Sequence, residues 1–284
     1  METDTRRDDR VLATTRALSA FIAPFLLVAF VLLYGFPGRT ARLWAWPIQA
    51  QMTSMLLASA YLGGCWFFLR VLLVERRWAA VRMGFVSVAL FATLLGIATI
   101  LHWDKFSHGK AAFWVWAGLY FNAPFLVVAA WLTNQRYAAE SRPDEPRLPR
   151  VARTVVAGFG ALALVTGVLM FLFPTRAISL WPWALTPLTC RVVGATFCLG
   201  VAGLGVLADD RWETVRLMRR VQLVMFALIL VAAVRARAEF LTDRPLTWVM
   251  GAGFVLLFAG SLLSEVRDAR PRHTGRHTLS PHAP

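Results

Sequence analysis

The chain has 284 residues, of which 58% are hydrophobic and only 16% charged, whereas soluble domains run about 45–50% apolar and about 25% charged. Its formal charge of +14 comes with a pI near 11.3, but the ionisable groups cluster between apolar windows of roughly 20 residues, each long enough to cross about 30 Å of hydrocarbon. These features exclude a soluble nucleic-acid binder, a disordered chain, a coiled coil and a disulfide scaffold, and they predict an all-α polytopic membrane protein.

The first seventeen residues mix Glu2, Asp4, Asp8 and Asp9 with Arg6, Arg7, Arg10 and Arg16. That is a poor signal-peptide n-region, so the apolar run after it reads as a retained helix behind a cytoplasmic tail. Uncharged runs then predict eight spans: Leu18–Phe36, Ala50–Leu69, Met83–Leu101, Ala111–Thr133, Thr154–Phe173, Thr186–Leu207, Val221–Val234 and Pro245–Ser264. The seventh is short unless it extends back through Leu217 and Met218. Residues 134–153, with Pro143, Pro146 and Pro149 among charges, read as a cytoplasmic linker. Residues 265–284 carry no apolar periodicity and read as a disordered cytoplasmic tail.

Twenty-one of the thirty Lys and Arg fall on the N-terminal side of the spans and eight on the other, with Arg191 inside the sixth. Because cytoplasmic loops retain basic residues, both termini are expected inside the cell. Most tryptophans, including Trp44, Trp46, Trp103, Trp181, Trp183 and Trp248, sit near the opposite ends, at headgroup level. The outer surface is basic too, which suits anionic lipid or acidic envelope material as a partner beside the bilayer itself.

Self-similarity divides the spans into two sets. FPGRTARLWAW from Phe36 matches FPTRAISLWPW from Phe173 at an offset of 137, and VERRWAAVRM from Val74 matches ADDRWETVRL from Ala208 at 134. Phe106/Phe240 and Trp114/Trp248 keep the second offset. The expectation is two four-helix membrane repeats, residues 18–133 and 154–264. Four is an even number, so they are parallel, related by an axis along the membrane normal. Small residues such as Gly63, Gly64, Gly96, Gly194, Gly200, Gly203 and Gly205 are expected to let helices pack closely.

Candidate chemistry is sparse. No predicted span holds an interior Asp or Glu, which argues against a proton- or cation-coupled machine. Arg191 lies about five residues into the sixth span, hence roughly 7–8 Å below its outer edge. It either snorkels to the headgroups or faces a vestibule and holds an anionic group. Arg39 and Arg176, the repeated FPxR arginines, would share that outer rim or cap the preceding helices. His102, Asp104 and His108 form a second constellation, read either as a solvated turn or as a metal-ligand set. The three cysteines lack metal or redox spacing and read as small buried hydrophobes. No cofactor motif occurs, and no phosphate loop, HExxH or nucleophile elbow.

At FPxRxxxLWxW, at RWxxVR, and at the stretch LHWDKF…WVWAGLYFNAP, the chain resembles uncharacterised polytopic membrane proteins of GC-rich bacteria. The resemblance implies a duplicated four-helix unit in a bacterial inner membrane and carries over no catalytic residue. The functional expectation is a non-enzymatic protein. It would bind or pass a small anionic or amphipathic solute at an outer vestibule between the repeats, contacted by Arg39, Arg176 and Arg191. The alternatives are a metal-dependent membrane enzyme using His102, Asp104 and His108, or an accessory structural subunit.

Overall fold

The computed structural model describes residues 8–140 and 145–269. Among these, eight helices are long and apolar enough to span a bilayer. They are α1 (Ala13–Gly35), α2 (Gln51–Leu73), α3 (Arg82–Leu101), α4 (Ala111–Gln135), α5 (Arg150–Leu172), α6 (Pro187–Leu207), α7 (Trp212–Arg235) and α8 (Pro245–Arg267). No named strand occurs among the described residues. The protein is all-α and polytopic. The segments expected at residues 1–7, 141–144 and 270–284 lie outside the described residues.

The apolar runs are helical because a backbone in hydrocarbon has no water to bond, and a helix satisfies its N–H and C=O groups within one segment. Helix ends fall where proline dictates. Phe36 (φ −128°, ψ 52°) and Phe173 (φ −122°, ψ 56°) leave helical geometry just before Pro37 and Pro174, since the proline ring crowds the α conformation of the residue ahead of it. Short helical turns follow, Pro37–Arg39 with Thr40–Leu43 in one case and Pro174–Leu180 in the other.

The expected spans hold to within a few residues except at α7, which begins at Trp212 rather than Val221. Its early turns carry Glu213, Arg219 and Arg220, charges that end a hydropathy reading. The fold pairs them: Glu213 lies 2.6 Å from Arg77, while Arg219 and Arg220 lie 2.7 and 2.6 Å from Glu265. Paired charges at the membrane edge let the helix continue.

α1 packs on α2, α3 on α4, α5 on α6 and α7 on α8; the two sets then join through α2–α7, α3–α6 and α2–α6. α2 is innermost, with 61% of its apolar window buried, against none of that of α8. α8 packs substantially only on α7, whereas α4 also meets α1. α5 and α6 approach most closely through glycine. A Cβ on Gly167 would lie 2.5 Å from the Gly194 oxygen, and one on Gly160 would lie 2.7 Å from the Gly200 oxygen. Lipid offers no hydrophobic drive between helices, so close backbone packing of this kind does the holding.

Ion pairs join the two sets on the arginine-rich face. Arg77 reaches Asp9 at 3.1 Å, Glu145 at 2.7 Å and Glu213 at 2.6 Å. Burial works to raise the Asp209 carboxyl, but hydrogen bonds from Arg211 and the charge of Arg82 outweigh it and hold the group below its usual range. Two backbone bridges lie nearby. Val11 N donates to Arg76 O at 2.9 Å and Trp78 N to Asp9 O at 2.6 Å; Leu148 N donates to Asp210 O and Trp212 N to Pro146 O, both at 2.9 Å. The second bridge repeats the first at the offsets of 137 and 134 seen in the sequence.

Candidate functional site

A cavity of about 530 Å³ lies between the two sets of helices, within the roughly 300–1,000 Å³ usual for small-molecule sites. Its walls are largely apolar, with Phe25, Phe67, Phe91, Phe159 and Leu257 among them. Polar groups enter from α7 and α8 (Thr214, Arg219, Gln222, Ser261 and Ser264) and from the other helices (Tyr61, Ser87, Tyr120 and Thr196). Arg219 is held there by Ser264, by Glu265 and by the Trp212 ring, whose centroid lies 4.8 Å from the guanidinium carbon. The cavity therefore has greasy walls, and the charged residue of its lining, Arg219, comes from the early turns of α7, near the arginine-rich face.

None of Arg39, Arg176 and Arg191 lines this cavity. Arg39 and Arg176 are exposed, and among the described residues neither has an ion-pair partner; Arg39 lies over the Phe36 ring at 5.8 Å.

Arg191 instead meets His102. Its Nη1 lies 2.6 Å from His102 Nε2. A guanidinium can only donate, so His102 accepts through Nε2 and is the neutral tautomer with its proton on Nδ1. Burial, and then the charge of Arg191, lowers the His102 pKa below its ordinary 6.5, partly offset by Asp104. The contact joins the end of α3 to the first turns of α6, across the two halves.

The other members of the proposed metal set go elsewhere. Asp104 pairs with Lys105 at 2.7 Å, and the His108 ring lies 4.7 Å from that of Phe113. Among the described residues no three His, Cys, Asp or Glu side chains are grouped to hold a metal ion. Cys65, Cys190 and Cys198 are free and buried.

The sequence reading missed the polar part of the cavity lining, since Arg219, Gln222 and Ser264 come from helices that are adjacent only in the fold. Arg219 carried one usable signal, as an arginine just ahead of an apolar run. No known protein family matches the chain, and no curated protein or solved structure matches it.

Proposed function

We propose that this membrane protein takes an amphipathic molecule into the cavity between its two halves. The chain of the ligand would lie against the phenylalanine-rich walls and its polar head against Arg219, Gln222 and Ser261. The observation that carries this reading is an apolar chamber between the halves whose one charged lining residue, Arg219, has Gln222, Ser261 and Ser264 on the same two helices, which matches the build of a lipid-like ligand. α5 and α8 both wall the chamber yet pack on different partners, which supports a route in from the surrounding bilayer between them. The test is mass spectrometry of amphiphiles carried through purification. Ser261→Trp, which fills the chamber from α8, is expected to lose them, and Leu263→Trp, on an exposed position outside the lining, is expected to keep them. Recovery of the same amphiphiles from Ser261→Trp, or of none from the unaltered protein, overturns the proposal.

The two halves are proposed to be parallel copies of one four-helix unit. The recurring Phe–Pro helix ends and backbone bridges support that reading, as does packing that pairs α2 with α7 and α3 with α6. The arginine-rich face is proposed to be cytoplasmic on the strength of the twenty-one to eight basic asymmetry. Reporter fusions at Lys110 and Arg150 test this, and placement in the same compartment defeats it.

A further inference from the structure

Two seams join the halves on the tryptophan-rich face, and they differ in one respect. At the first, the Glu239 carboxylate accepts from Gln51 N and Met52 N, both at 2.9 Å, and Trp183 Nε1 donates to Thr53 Oγ1 at 2.8 Å. Each of these donors meets an oxygen of the protein. At the second, the start of α6 meets the turn after α3. The offsets of 134 and 137 place Lys105 where the first seam has Glu239, Cys190 where it has Thr53, and Trp46 where it has Trp183. The carboxylate and the hydroxyl are thus replaced by an ammonium and a thiol.

The hydrogen bonding changes accordingly. Trp46 Nε1 and Arg191 Nε are buried and, among the described residues, meet no hydrogen-bond acceptor. Trp46 belongs to the same buried cluster as Val192, the residue after Arg191 on α6, and Leu188, one turn before it. Trp181 Nε1 at the first seam and Trp44 Nε1 at the second share this state, so what is particular to the second seam is the guanidinium: a buried charged donor left unmet is costly, and such a group calls for a partner. The acid on the His102 turn, Asp104, is exposed and paired with Lys105.

We infer that this second seam binds an oxyanion, a phosphate or carboxylate, through the Arg191 guanidinium with His102 beside it. The backbone at the start of α6 is already capped by Thr186, whose Oγ1 accepts from Thr189 N, so the anion supplies its oxygens to the guanidinium, a planar fork suited to two oxygens of one such group. His102 then no longer serves as the acceptor for Arg191. Protonated, it becomes a second cation facing the anion, so binding takes up a proton and strengthens as pH falls. The other charged groups around His102 are Arg191 from α6, and Asp104 and Lys105 from its own turn. The site is separate from the apolar chamber, which neither Arg191 nor His102 lines.

The oxyanion could come from solution or from a lipid headgroup, because the tryptophans place this seam near headgroup level. Calorimetry on the full chain in phosphatidylcholine nanodiscs, titrated with inorganic phosphate, tests the first source. Competition by nanodiscs that contain phosphatidic acid tests the second. Binding by either probe is expected to weaken about tenfold or more in Arg191→Gln, equivalent to about 1.4 kcal/mol. The glutamine amide still donates to His102, so that variant keeps the seam, and its thermal melt checks this. Arg39→Gln, an exposed arginine on the same face, is expected to bind as the unaltered protein does. Lowering the pH from about 8 to about 6 is expected to tighten binding in the unaltered protein and not in His102→Phe. Binding of phosphatidic acid alone identifies the ligand as a headgroup. Binding of neither probe, or equal binding by Arg191→Gln and the unaltered protein, overturns the inference.

Discussion

Arg191 on α6 and His102 at the end of α3 meet across the two halves with 2.6 Å between Nη1 and Nε2. Two groups able to carry positive charge share one contact, and the contact survives only while the imidazole is neutral. The fold thus ties the join between its halves to the protonation of one imidazole, whose pKa lies below its ordinary 6.5.

The sign of the resulting pH dependence is fixed. Burial and the Arg191 charge hold the folded-state pKa of His102 below its ordinary 6.5. The stabilisation is therefore fully present above 6.5 and is lost as pH falls through the lower folded value. Thermal melts in phosphate-free buffer across this range should show stability declining on the acid side. Arg191→Gln removes one cause of the depression, so its decline should be shallower. Equal slopes for the two proteins would count against the linkage.

Arg77 ties the N-terminal tail, the connection at Glu145 and the start of α7 into one ionic cluster. Its side chain is 40% exposed, so solvent screens part of the attraction. Arg77→Ala should still cost about 2 kcal/mol, below the 3–5 kcal/mol of a fully buried broken pair. Lys105→Ala, whose partner Asp104 is exposed, should leave stability unchanged. Denaturant or thermal unfolding of the two variants in one detergent measures the contrast, and equal losses would refute it.

The contrast between these two ion pairs also shows what a sequence exposes. Hydropathy is local, so the spans could be read residue by residue, and the twin Phe–Pro ends were visible as a repeated string. The early turns of α7 were not, because the partners of Glu213 and Arg219 are Arg77 and Glu265, far away along the chain. Arg191 stood out as a charge within a span, yet its contact with His102 could be found only in three dimensions. The spacing His102–Asp104–His108 suggested convergence, yet among the described residues no three such side chains are grouped to hold a metal ion. A cavity between helices leaves no mark on composition at all.

Thr53 shows how one atom distinguishes two otherwise similar tryptophans. Trp183 is fully buried, and its indole N–H donates to Thr53 Oγ1 at 2.8 Å. Thr53→Val keeps the shape and removes the acceptor, so it should cost about 1–3 kcal/mol, the penalty for stranding a buried donor. Thr53→Ser restores an oxygen and should recover most of that loss. Thermal unfolding of both variants decides the matter. If valine and serine destabilise equally, the hydrogen bond contributes nothing.

Gly167 and Gly158 lie on the same helix, α5, and should respond in opposite directions. A Cβ at Gly167 would lie 2.5 Å from the Gly194 oxygen and 2.8 Å from the Cys198 nitrogen. Both are backbone atoms of α6, and neither can turn aside as a side chain would. Gly167→Val must therefore push α5 and α6 apart. Overpacking of this kind costs about 1–3 kcal/mol, and in a bilayer the parted surfaces also lose the close packing that holds helices together. Gly158 has nothing within 4 Å of its would-be Cβ. Gly158→Ala should be neutral or should stabilise the helix by up to about 1 kcal/mol, the difference in helix propensity. Melting both variants beside the unaltered protein separates contact from propensity: a stable Gly167→Val would mean that α5 and α6 do not approach as closely as their glycines allow.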